Sequence, residues 1–175
     1  MSVVGIDLAG MEKNPTGFAV LEDNTVHTCI LFKDEEIVSA TEKANPEIVA
    51  VDAPLSKGDS FRVCDLELKN RGFHPLPLNL KGMIPLVERG IKLATILQKK
   101  YLVKEIFSDA SAKIFGISSP FALKNLKSFF NLEIFGGESD DEIDAIVAAL
   151  TGRFFLLGKA EEVGDENGKI VLPKL

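Results

Sequence analysis

The chain has 175 residues, of which 46% are apolar and 26% charged, the proportions of an ordinary folded domain. They exclude a disordered tail, a collagen-like repeat and a disulfide scaffold. The net charge of -6 has the wrong overall sign for a nucleic-acid binder, but residues 56–104 carry 10 basic and 4 acidic side chains between two acidic ends, a basic island that composition alone conceals.

In chain order, Val3 to Leu8, Gly17 to Leu21 and Val26 to Phe32 read as β-branched strands, separated by turn signals at Asn14-Pro15 and Asp23-Asn24. Short connections predict an antiparallel meander. Asp34 to Ala44 has helical composition and ends near Asn45-Pro46, and Glu47 to Asp52 is a buried-looking strand stopped by Pro54, so parallel pairing begins here. Residues 56–85 form an excursion punctuated by Gly and Pro, with one helix around Phe61 to Asn70. Leu86 to Tyr101 shows a helix-period apolar face, and Val103 to Phe107 is a fifth strand. Helices are predicted at Ala110 to Phe115 and Pro120 to Phe130. Ser139 with Glu142 forms a capping box for a last helix that stops at Gly158, and a terminal hairpin turns around Glu166-Asn167-Gly168. The expectation is one α/β domain over 1–175: a mixed five-stranded central sheet flanked by helices, with a C-terminal hairpin.

The opening MSVVGIDLAG lacks the features of a signal peptide, and the longest apolar stretch, Ala145 to Leu150, is far short of a membrane span. Cys29 and Cys64 have no zinc-like or redox spacing. A cytoplasmic protein is expected.

Two carboxylates stand where strands rarely place them. Asp7 in VVGIDLAG and Asp52 in IVAVDAP end two apolar strands expected side by side at the sheet centre, and in a sheet of this order strand ends line a crevice. Asp141 and Asp144 lie three apart on the last helix and share a face. An acidic first turn is explained by the helix dipole alone, but Asp144 lies deeper, beside the apolar stripe. Converging carboxylates raise one another's pKa values unless divalent cations neutralise them. Oxygen-only ligands suit Mg²⁺ or Mn²⁺, and two such ions organise phosphodiester hydrolysis.

At these residues the chain resembles the ribonuclease H-like superfamily, and DEIDAIVAAL is similar to the terminal helix of RuvC-like Holliday-junction resolvases. The order of GIDLAG, VDAPL, the Arg62 to Asp65 string, EIF leading to KIFG, DEIDA and GKIVLP also resembles domain of unknown function 429, a family of predicted nucleases. Where that family usually has Pro after its fifth strand, this chain has Ser108. The resemblance implies a nuclease with two Mg²⁺ or Mn²⁺ ions. Asp7 would bridge them, Asp52 would bind one, and Asp141 and Asp144 the other. Lys57 and Arg62 would meet substrate phosphates, although Arg62 is equally spaced to pair with Asp65 on a helix. The expected partner is nucleic acid, DNA or RNA, with no membrane, and a resolvase-type function would bring a homodimer. Two other readings share the first strand: a nucleotide-binding protein of actin or sugar-kinase type acting as a dimer, and a non-enzymatic binding module on the same fold.

Overall fold

Val3, Val4, Gly5 and Ile6 are buried in succession along Ser2–Asp7 (β1), so both faces of this strand are covered, as in the centre of a sheet. The computed structural model describes residues 1–117 and 122–175. Thr16–Glu22 (β2) and Thr25–Leu31 (β3) continue β1 as the expected antiparallel meander, with Asp7 opposite Gly17. Asp34–Ala44 (α1) leads to Ile48–Asp52 (β4), which pairs with β1 in parallel and sets Asp7 beside Asp52. Val63–Asn70 (α2) occupies the excursion, and Ile84–Leu97 (α3) returns to Leu102–Ile106 (β5), parallel to β4. Ser108–Phe115 (α4), Ala122–Phe130 (α5), Glu133–Phe135 (β6), Asp140–Leu156 (α6), Ala160–Asp165 (β7) and Gly168–Pro173 (β8) complete the order. The first residues of the helix expected at Pro120 to Phe130 lie outside the described residues.

Among the described residues the strands form one eight-stranded sheet in the order β6-β3-β2-β1-β4-β5-β8-β7. The five expected strands are its centre. The C-terminal hairpin is part of the sheet, because β8 pairs in parallel with β5 through Glu105–Ile170 and Ile106–Val171, covering an edge that would otherwise expose unpaired backbone groups. At the opposite edge β6 pairs with β3; three residues are too few to show an alternating pattern in sequence.

The two-residue period of β1 divides its side chains between two cores. Val4, Ile6 and Leu8 pack with Ile37 of α1 and Leu93 of α3. Val3 packs with Ala145, Ile146 and Ala149 of α6, and Gly5 and Asp7 follow on that face. The contact with α6 is backbone to backbone. A Cβ on Gly5 would overlap the Ala145 carbonyl and the Ala149 N–H and lie 2.9 Å from the Ala149 Cβ, and one on Gly17 would overlap the Asp141 carbonyl. From the helix side, a Cβ on Gly152 would lie 3.0 Å from Val3 Cγ1 and 3.1 Å from the Ala50 Cβ, and Ala148 is buried in one cluster with Ala50.

Glu142 fixes the start of α6. Its carboxylate accepts from the backbone N–H groups of Gly137, Glu138 and Ser139, while Thr28 of β3 donates to it at 2.6 Å. Ser139 closes the capping box from the other side. The predicted box is therefore present, and it also ties the helix to the sheet.

Gly5→Ala is expected to cost about 3 kcal/mol or more, because the new methyl group can be accommodated only by lifting α6 off the sheet. Urea denaturation measures this, and a loss below about 1 kcal/mol would mean that the helix is not seated as described.

Candidate active site

Asp7 and Asp52 are register partners at the ends of adjacent parallel strands, about 4.8 Å apart in the backbone. Both fall on the α6 side of the sheet, as their even spacing from Val3 and Ile48 requires. Asp144 comes down from α6 one turn into the helix. Burial, with the charges of Asp52, Asp144 and Asp141 added, pushes the Asp7 carboxyl up to about 8. Burial likewise pushes Asp52 up to about 7, with Asp144 adding to the effect. Asp144 rises to about 6 through burial and its neighbours Asp140 and Asp141. The three sequence-distant carboxylates thus sense one another, and none of them enters an ion pair with Lys or Arg among the described residues.

Ser108, the first residue of α4, donates its hydroxyl to Asp52 Oδ2 and opposes part of that upward shift. Sequence reasoning did not assign it a role. The available signal was a hydroxyl residue directly after the fifth strand.

Among the described residues, no group of three or more His, Cys, Asp or Glu side chains is set at metal-holding geometry. The donor chemistry of Asp7, Asp52 and Asp144 nevertheless fits a hard divalent cation: oxygen ligands only, pushed towards protonation for want of a counter-charge. Asp141 is half-buried on the same side of α6 and contributes repulsion to Asp7.

Arg62 has no N–H group left for a phosphate, against the expectation that it meets one. Its side chain is 3% exposed. Nε and Nη2 donate to Asp65, and Nη1 and Nη2 donate to Glu105 at 2.8 and 2.6 Å. Glu105 Oε2 also accepts from the Leu55 N–H, so the network fastens α2 to β5 and to the loop after β4. Glu105 is thereby held in the structure by three hydrogen bonds, two on Oε2 and one on Oε1. The rest of the basic island is largely neutralised as well: Arg71 pairs with Glu161, Arg89 and Lys92 with Asp34, Lys100 with Glu42 and Lys104 with Glu162. Lys57 is exposed and enters no ion pair among the described residues. Phe61 lies under the Lys69 ammonium and Phe73 packs on the α2 core, so neither is a free stacking platform. Cys64 is buried, its thiol pushed up to about 12 by desolvation, and it belongs to the core between α2 and the hairpin.

Two hollows adjoin the carboxylates. A cavity of about 200 Å³ runs from Asp7 and Asp52 beneath the excursion. A groove of about 660 Å³ between α4 and α6 reaches Ser108 and Asp144 from the other side.

The fold is ribonuclease H-like. Two solved structures of RuvC from Thermus thermophilus share it: one in complex with Holliday junction substrate, at TM-score 0.55 and 14% identity over 90% of this chain and 96% of that one, and one of the protein described simply as RuvC, at TM-score 0.55 and 12% identity over 90% and 97%. No protein-family model and no curated protein sequence matches the chain. No helix among the described residues is long and apolar enough to cross a membrane.

Two stability predictions follow from this electrostatic arrangement. The raised carboxyl of Asp7 keeps its proton in the folded state across a range where the unfolded chain has lost it, so its contribution to stability falls as pH rises from 3.8 towards about 8. Without divalent cations, Asp7→Asn should raise Tm at pH 8, by about 2–4 °C for each kcal/mol of repulsion relieved, and should change little near pH 4. An unchanged or lower Tm at pH 8 would contradict the clustering. Glu105→Ala strands the buried guanidinium and should cost about 3–5 kcal/mol in urea denaturation; a loss below about 1 kcal/mol would show that Arg62 is held by Asp65 alone.

Proposed function

We propose that the chain is a divalent-cation-dependent nuclease that hydrolyses phosphodiester bonds of nucleic acid at Asp7, Asp52 and Asp144. The observation carrying this reading is the convergence of carboxylates from β1, β4 and α6, all raised in pKa and none ion-paired, at the open end of a ribonuclease H-like sheet. Asp7 is the central member, since all three other acids repel it. Asp52 is oriented by Ser108, and Asp141, whose charge acts on Asp7 and Asp144, is a further ligand candidate. When bound at these residues, Mg²⁺ or Mn²⁺ supplies charge neutralisation at the scissile phosphate and an activated water. Lys57 is the remaining candidate for a backbone phosphate contact. The solved RuvC complex holds a Holliday junction, which supports nucleic acid as the substrate class. The order of motifs favours membership of domain of unknown function 429.

Asp7→Asn is expected to reduce Mn²⁺-dependent cleavage of DNA or RNA by about a hundredfold or more, while circular dichroism shows the fold intact. Retained activity in a folded variant would reject the mechanism. Ser108→Ala leaves the three acids in place but frees Asp52 to turn, so a loss of about 10–100-fold is expected. An unchanged rate would remove Ser108 from the site.

A further inference from the structure

The cavity beneath the excursion has a composition that a phosphate site does not need. Leu68, Leu78, Met83 and Leu86 line it, and Arg62, Asp65 and Glu105 form its inner polar part. At about 200 Å³ it is smaller than pockets for drug-sized ligands and somewhat larger than the roughly 150 Å³ cavity that accepts a benzene ring in another protein. It has room for one heterocycle and not for a base pair.

Of the inner polar groups, Arg62, Asp65 and Glu105, none has a donor to spare, while the exposed His74 also lines the cavity. A guanidinium has five N–H groups, and those of Arg62 are all engaged: one from Nε to Asp65, two from Nη1 to Ser56 and Glu105, and two from Nη2 to Asp65 and Glu105. Glu105 Oε1 receives a single hydrogen bond, so it retains capacity for another donor. A ligand that places an amine there is satisfied, whereas one that places a carbonyl faces carboxylate oxygen. Asp7 and Asp52 belong both to the cavity wall and to the carboxylate cluster. A ring held in the cavity therefore has whatever it carries at the mouth beside those acids, and the groove on the Asp144 side can take a continuing chain.

We infer that this cavity receives a single unpaired nucleobase bearing an exocyclic amine, from the strand whose phosphate lies at Asp7 and Asp52. Uracil and thymine, whose polar edge sets one N–H between two carbonyls, are disfavoured. The inference rests on the nuclease reading for the identity of the strand, and the cavity chemistry stands apart from cleavage.

The test uses the full chain without metal, followed through the methyl resonances of Leu68, Leu78 and Met83 during titration with adenosine, cytidine and uridine. Adenosine or cytidine should move these signals, with uridine weaker by about tenfold or more. Met83→Trp fills the cavity and should abolish the response; if that variant does not fold, Leu76→Trp at the exposed rim takes its place. An oligoadenylate strand should displace adenosine. The inference is overturned if no nucleoside moves the methyl signals, if uridine binds as well as adenosine, if a folded cavity-filled variant still binds, or if the oligonucleotide fails to compete. Nucleoside binding alongside undiminished cleavage by Asp7→Asn would instead count against the nuclease reading alone.

Discussion

Everything at the open end of the sheet depends on the distance between α6 and β1. Because Gly5 and Gly17 carry no side chain, the helix lies with its own backbone against theirs, and Asp144 descends far enough to share the electrostatic environment of Asp7 and Asp52. Side chains at those two positions would separate the layers towards the roughly 10 Å usual for packed elements. The acids would then act as three solvated carboxylates with ordinary titration. The small residues of α6, from Ala145 through Ala149 and Gly152, are the complementary half of the same constraint.

A second layer of charge holds this arrangement in place. Glu142 ties the start of α6 to β3, Arg89 and Asp34 join α3 to α1, and Arg62 with Asp65 and Glu105 fixes the excursion to the sheet. In each case an acid has found a backbone or cationic partner. Asp7, Asp52 and Asp144 contrast with these: they have raised pKa values and no cationic partner among the described residues.

Period and composition made the central elements legible. An Asp at the end of an uninterrupted apolar run is visible in one dimension, as are a Ser-x-x-Glu box and an Ala-rich helical stripe, and these fixed the expected positions of Asp7, Asp52 and Asp144. Pairing across the fold was not legible. Nothing local to Arg62 reveals that Glu105, 43 residues away, completes its coordination, so a basic segment looked available when most of it was neutralised. The joining of the hairpin to β5 depends on an edge that exists only once the sheet is assembled, and the role of Ser108 depends on the register between β4 and β5 that brings it to Asp52.

The seating of α6 also orders events in time. Its partners Gly5 and Gly17 leave the ribosome more than a hundred residues before Asp141 and Ala145 do, so the contact closes one of the longest loops the chain contains. A nascent chain can form the meander and the first parallel pair early, but the carboxylate cluster cannot exist until the last helix has emerged and docked. The carboxylate cluster thus depends on a segment synthesised after most of the strands beside it.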